Sequence, residues 1–173
     1  IERPIKWVAE RTESFLTDTH GRDHVTHAEL AVTNDGKFLG FKNETIANLG
    51  AYARVFGTVT PTYLFGPCAT GVYTIPAAYT NVKAVYTNTA PVDAYRGAGR
   101  PEATYTIERL VEKAAMELGI DRTEIRMKNF PTEFPFKQTL VHTVDSGDYI
   151  AGLKKAKEMA DYDSFESRRK KSE

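Results

Sequence analysis

In "HVTHAELAV" the apolar residues recur at every second position. Ala28, Leu30 and Val32 share one face and His27 and Glu29 the other, the period of a half-buried strand. "TNDGK" follows, with Asp35-Gly36 as a hairpin signal. "FLGFKNETIANLGAY" is then expected to return antiparallel, with Gly40 and Gly50 at bulges or tight bends. Upstream, "IKWVAERTESFL" mixes β-formers with charges and reads as an edge or half-exposed strand. From Arg54 to Pro76 the chain is rich in Gly, Pro and Thr, which predicts irregular structure or a short helix between loops. "NVKAVYTNT" is a further strand.

The period then changes from two to 3.6. After Pro101, a good first helical residue, Ala103, Ile107, Leu110, Val111, Ala114 and Leu118 form one helical stripe. Gly119 suits the left-handed position past the helix end. Asp121, with Glu124 three residues on, is a helix start resembling a capping box. "FPTEFPFKQT" is expected to be loop because of its two prolines. After the cap-type residues of "VDSGD", Ile150, Leu153, Ala156 and Ala160 line one side of a last helix reaching "SRRKK". Strands first and helices second predict an α+β fold. An antiparallel or mixed sheet occupies the N-terminal half, and helices mostly from the C-terminal half pack on it. The 173 residues read as a single domain, 1–173.

Charge narrows the partners. Lys plus Arg, 23, equals Asp plus Glu, 23, so no net field draws the chain to nucleic acid or to an anionic membrane. No apolar run approaches the ~20 residues that span a bilayer. One cysteine, Cys68, allows no internal disulfide and fits a reducing, cytoplasmic setting; it reads as a small buried hydrophobe. His24 and His27, three apart on a strand, face opposite ways, and no metal-ligand spacing is present. The chain opens "IERPIKWVAERTESF" without Met and closes "ESRRKKSE" in helical pattern, so it is expected to be a piece of a longer polypeptide.

The chemistry concentrates in "YRGAGRPE", between a strand and a helix. A dinucleotide fingerprint fails there. Glu102 occupies the position that needs a small residue and would set a negative charge beside a pyrophosphate. A Walker loop fails for want of G-K-[ST]. Two readings stand at this level: glycines and Arg96 or Arg100 forming an anion site, or a tight loop whose arginines pair with Glu102 or other carboxylates.

"AYRGAGRPEA" (Ala94–Ala103) resembles the molybdenum-cofactor-binding large subunit of the xanthine dehydrogenase, aldehyde oxidase and carbon monoxide dehydrogenase family. So do, in family order, "RPIKWVAERTESF" (Arg3–Phe15), "HGRDH" (His20–His24), "YTIPAAYTNVKAVYTNTAPVDAYRGAGRPEA" (Tyr73–Ala103), "MELGID", "RMKNF" and "DSGDY" (Asp145–Tyr149). The resemblance implies an enzyme that hydroxylates a small-molecule aldehyde or N-heterocycle with water as the oxygen source. It implies molybdopterin, in bacteria the cytosine dinucleotide form. It also implies electron transfer to FAD on a medium subunit through 2Fe–2S clusters on a small subunit.

By position in the family motif, Arg96 is the catalytic residue facing the substrate cavity. Arg96, Gly97, Ala98 and Gly99 are the cofactor-binding residues, and no residue is assigned as a metal ligand. The copper-containing carbon monoxide dehydrogenases have a loop resembling A-Y-R-C-S-F-R, whose thiolate holds copper. Glycine stands there in this chain, as in the "form II" variety, and copper loses its soft ligand. The family's upstream Gly-Phe-Gly loop, its Gln-containing pterin segment and its C-terminal Gly-x-Gly-Glu base are absent from the sequence. The 173 residues alone are therefore expected to be inert and to bind cofactor weakly or not at all. The competing expectations are an independent nucleotide- or anion-binding module without catalysis, and an interaction domain with a merely tight loop. Phe134 and Phe136 are expected either to line a substrate channel or to anchor their loop.

Overall fold

Alternation along residues 24–32 becomes strand β1 (His24–Val32), half-buried and exposed by turns along its whole length. Strand β2 (Phe38–Gly50) buries Phe41, Asn43, Thr45 and Ala47 in the same rhythm. A computed structural model describes residues 2–172. The remaining elements are α1 (Arg11–Thr17), β3 (Ala77–Tyr86), α2 (Arg100–Leu118), α3 (Arg122–Asn129), β4 (Phe136–Lys137), β5 (Thr143–Val144), α4 (Tyr149–Met159) and α5 (Phe165–Ser172). The fold is α+β, as the change of period predicts.

The long strands form one sheet ordered β1-β2-β3. Thr33 N–H bonds Lys37 O and Asn48 N–H bonds Asp23 O, so β1 and β2 run antiparallel. β3 runs parallel to β2: Gly40 lies beside Ala77, and Gly50 O accepts from Thr87 N–H. A parallel neighbour needs a long crossover. Residues 51–76 supply it, winding through a π-helical segment, Thr60–Phe65, and a 3-10 turn, Gly66–Cys68.

The N-terminal strand expectation is wrong. Residues 4–10 are irregular, and Arg11–Thr17 is helical. Glu13 Oε2 accepts from Glu10 N–H at 2.9 Å, and Thr17 Oγ1 donates to Glu13 O. These local bonds at either end of a short segment outweigh its β-branched and aromatic content. Two smaller differences follow. "FPFKQT" contributes the two-residue strand β4, pairing Phe136 with Val144 and Lys137 with Thr143. The last helix breaks at Asp161, which takes φ +47°, before resuming as α5. Ile150 and Leu153 are half-buried as expected, but Ala156 and Ala160 are exposed.

The chain packs as two compact units. One comprises Ile1–His27, Asn43–Ala69 and Thr80–Thr104; the other comprises Ala28–Lys42, Thr70–Tyr79 and Tyr105–Glu173. In the second, the expected stripe of α2 buries Ile107 and Val111 fully, with Ala115 beside them. Gly119 takes φ +65°, and the Asp121 carboxylate accepts from the N–H groups of Thr123 and Glu124 to start α3. Asn129, at the other end of α3, is 1% exposed. Its Oδ1 accepts from Phe38 N–H at 2.9 Å, and its Nδ2 donates to Gly36 O and Ile125 O, each at 2.8 Å. One amide thus ties the β1–β2 turn to a helix end.

Tyr73 is stacked on Phe130 and sits edge-on to Phe38. Its hydroxyl donates to Glu108 at 2.6 Å. Burial and that carboxylate push its pKa far up. Phe134 is half-buried against Tyr149, as an anchored loop residue would be.

Two outcomes follow. Asn129→Ala leaves the Phe38 N–H buried without a partner and should lower unfolding stability by about 3 kcal/mol, read as a shifted urea midpoint. Burial works to raise the Asp121 pKa, but hydrogen bonds from the Thr123 and Tyr162 hydroxyls and from two N–H groups bring it down to about 2. A folded pKa below the unfolded value stabilises above about pH 4 and loses that effect as pH falls through 2. The stability advantage over Asp121→Asn should therefore be constant at neutral pH and vanish across that acid window.

Candidate functional site

The loop after β3 is built from left-handed backbone. Gly97, Ala98 and Gly99 take φ of +90°, +40° and +85°. For an alanine this region costs about 1–2 kcal/mol, so Ala98 must be held from outside. Ala98 N–H bonds Tyr95 O at 2.7 Å, Arg100 N–H bonds Gly97 O at 3.2 Å, and Ala103 N–H bonds Gly99 O at 3.0 Å. Two of the three positions admit no side chain. A Cβ on Gly99 would lie 2.5 Å from Thr60 O and 2.7 Å from Phe65 N; one on Gly97 would lie 2.6 Å from the Pro101 ring. The loop's backbone therefore rests directly on the π-helical segment.

The segment "HGRDH" holds the loop from the other side through His20, Gly21 and Arg22, while Asp23 and His24 fasten the segment itself. His20 N–H donates to Pro91 O and His20 O accepts from Asp93 N–H, both at 2.9 Å. Gly21 leaves room for Tyr95, whose Cβ would be 2.7 Å from any side chain there. Arg22 Nη2 donates to Arg96 O at 2.6 Å, and its Nε meets Glu102 Oε2 at 3.4 Å. Its guanidinium lies 4.9 Å from the Tyr95 ring centre. Asp23 accepts from the Asn48 side chain at 2.8 Å. His24 meets Phe65 edge-on at 5.0 Å. Burial holds its imidazole pKa below the ordinary value, against the pull of Glu102 and Asp23.

The four residues expected to act, Arg96, Gly97, Ala98 and Gly99, are consecutive, and all belong to this loop. The Arg96 side chain is exposed and makes no hydrogen bond or ion pair among the described residues. None of the hydrogen bonds among the described residues uses the N–H of Arg96, Gly97 or Gly99. Arg100 turns back, its Nη1 3.4 Å from Ala98 O. Glu102 meets Arg22, which the tight-loop reading of the sequence did not consider. Cys68 is half-buried rather than buried, and burial raises its thiol pKa against the opposing field of Arg100.

Sequence reasoning missed Arg22, Gly21 and Tyr95 as parts of the site. The signal was present in "HGRDH", but Arg22 and Arg96 are 74 residues apart and no periodicity joins them. An open cleft lined by Ala9, Arg11, Phe15, Asp18 and His20 lies beside α1, and none of the four loop residues lines it.

Chemically, three unused N–H groups on glycine-rich backbone, beside an unpaired guanidinium, suit an electron-rich oxygen or nitrogen of a bound group. No cluster of three His, Cys, Asp or Glu that could hold a metal ion occurs among the described residues. Among the described residues no helix is long and apolar enough to cross a membrane.

Known proteins are similar to this chain over nearly its whole length. The chain is 43% identical over 170 residues to the carbon monoxide dehydrogenase large chain of Hydrogenophaga pseudoflava, covering 95% of this chain and 21% of that one. Quinoline 2-oxidoreductase from Pseudomonas putida 86 superposes with a TM-score of 0.89 at 32% identity, over 96% of this chain and 22% of the other. Carbon monoxide dehydrogenase from Oligotropha carboxidovorans superposes at 0.85 and 35%, over 96% and 21%. The chain thus spans about a fifth of the length of the relatives it matches. The sequence profile of the molybdopterin cofactor-binding domain matches residues 1–130, which include β1 to β3, the whole loop and the helix that follows it. The chain belongs to the molybdopterin cofactor-binding domain family of molybdenum oxidoreductases.

Proposed function

We propose that this chain forms part of the large subunit of a molybdenum hydroxylase that oxidises an aldehyde or an N-heterocycle. What carries the reading is the run Arg96–Gly99, which pairs unused backbone donors, exposed at Arg96 and Gly97, with a guanidinium that has no partner among the described residues. Both features fit a pterin-borne metal group, which needs backbone at close range and brings its own metal ligands. When bound, the molybdenum–pterin group would supply the two-electron oxidation of a carbon centre, with oxygen drawn from water.

The chain's own residues have two tasks. The N–H groups of Gly97 and Gly99 hold the cofactor edge. They can do so because Gly97 has no side chain to intervene and Gly99 is pressed against Thr60 and Phe65. Arg96 orients the substrate's carbonyl oxygen or ring nitrogen and stabilises negative charge that develops on it. Covered by a bound cofactor and substrate, that cation would be worth far more than in bulk solvent. In the same reading the cofactor is the cytosine dinucleotide form, and the partners are an FAD-binding medium subunit and a 2Fe–2S small subunit.

Copper chemistry is not part of this proposal. Gly97 offers no thiolate, and a cysteine there would need φ near +90° with its Cβ 2.6 Å from Pro101. Copper in the purified holoenzyme should be negligible relative to molybdenum. Rapid oxidation of carbon monoxide with one copper per molybdenum would refute this part. Gly97→Cys should lower stability by about 1–2 kcal/mol without recruiting copper.

The role of Arg96 is tested in the holoenzyme with quinoline and benzaldehyde as probe substrates and an artificial electron acceptor. Arg96→Ala should lower turnover by about 10²-fold or more, the cost typical of one lost electrostatic donor, with molybdenum content unchanged. Molybdenum falling in step with activity would make Arg96 a cofactor clamp instead.

A further inference from the structure

The guanidinium of Arg22 uses separate nitrogens for separate tasks. Nη2 grips the carbonyl of Arg96 at 2.6 Å, while Nε faces Glu102 at 3.4 Å. The Tyr95 ring covers it at 4.9 Å. The Glu102 side chain is only 10% exposed, so its charge depends on a close cation.

The grip on the carbonyl matters most. A trans peptide is planar, with C=O and the following N–H pointing in opposite directions. Fixing Arg96 O therefore fixes the direction of the Gly97 N–H. A peptide that precedes glycine is free to flip, since glycine tolerates positive and negative φ alike. Without a partner for Arg96 O, the Gly97 N–H could turn inward and the Arg96 side chain would lose its origin. The other bonds within the loop use Tyr95 O, Gly97 O, Ala98 O and Gly99 O, so none restrains this peptide plane directly.

We propose that Arg22 is a positioning residue that locks the Arg96–Gly97 peptide plane, presenting the Gly97 N–H and the Arg96 side chain to cofactor and substrate. The assignment rests on the functional reading of Arg96 and Gly97 given above. Lysine cannot replace Arg22, because its single ammonium nitrogen cannot stand in the places of both Nη2 and Nε and lacks the planar fork that stacks on Tyr95. It can, however, supply the charge that Glu102 requires.

That difference provides the test, made in the holoenzyme with Arg22→Lys, Arg22→Ala and each combined with Arg96→Ala. Amide exchange is read over residues 95–100, together with thermal midpoint, molybdenum content and kcat and KM for quinoline. Arg22→Lys should keep the midpoint near that of the parent protein, yet speed exchange in the loop by about tenfold and lower kcat. The double variant Arg22→Lys, Arg96→Ala should lose less turnover than the product of the two single losses, since the part of the Arg22 effect that runs through the Arg96 side chain is already gone.

Recovery of slow exchange and full kcat by lysine would overturn the proposal and leave Arg22 as a counter-charge for Glu102. Multiplying losses in the double variant would overturn it as well. If Arg96→Ala leaves kcat unchanged, the reading of Arg96 fails, while loop exchange still decides whether Arg22 locks the peptide. Should Arg22→Ala fail to fold, the lysine variant carries the test alone.

Discussion

Gly99 lies so close to the π-helical segment that a single methyl group would sit 2.5 Å from Thr60 O and 2.7 Å from Phe65 N. The architecture of the site depends on that contact. It brings the turn after β3 down onto the crossover between the two parallel strands, and it demands φ +85° at Gly99. Once Gly99 is seated, Gly97 and Ala98 complete a left-handed run in which the N–H of Ala98 is satisfied internally and those of Gly97 and Gly99 are not. A backbone with unused donors in an exposed loop is ready for a ligand. The cost of holding it is met by contacts on both sides, from Thr60–Phe65 and from His20–His24.

The two sides use different physics. Against the crossover the restraint is steric: backbone packs on backbone, and no flexible side chain can yield. Against "HGRDH" it is polar, with the pairing of His20 around Pro91 and Asp93 and the Arg22 grip on Arg96. Steric contact sets where the loop lies. The polar contacts set which way its peptides face. Helix α2 begins at Arg100, so Glu102 in its first turn brings a carboxylate to Arg22, and the rest of the helix is anchored by Ile107 and Val111.

Much of the fold was legible because it is periodic. The alternation of Ala28, Leu30 and Val32 and the stripe from Ala103 to Leu118 each report burial on one face, and the structure repeats both. Single-residue signals with a backbone cause also held, as at Gly119 and Asp121. The N-terminal segment was misread because its β-formers carry no alternation, while the hydrogen bonds at Glu10 and Glu13 that favour a helix are local and polar. The position of the loop could be read from its glycines. What holds it could not, since Arg22 meets Arg96, and Asn129 meets Phe38, across 74 and 91 residues. Such pairs leave no period in the sequence, and only the fold brings them together.

In the proposed function the left-handed run presents its backbone to a molybdenum–pterin group, with Arg96 beside it. A crystal structure of the molybdenum-loaded holoenzyme tests this most directly. Gly97 or Gly99 N–H should donate to an atom of the cofactor, and Arg22 should still hold Arg96 O. A cofactor bound elsewhere, with both N–H groups turned to solvent or to other protein groups, would contradict it.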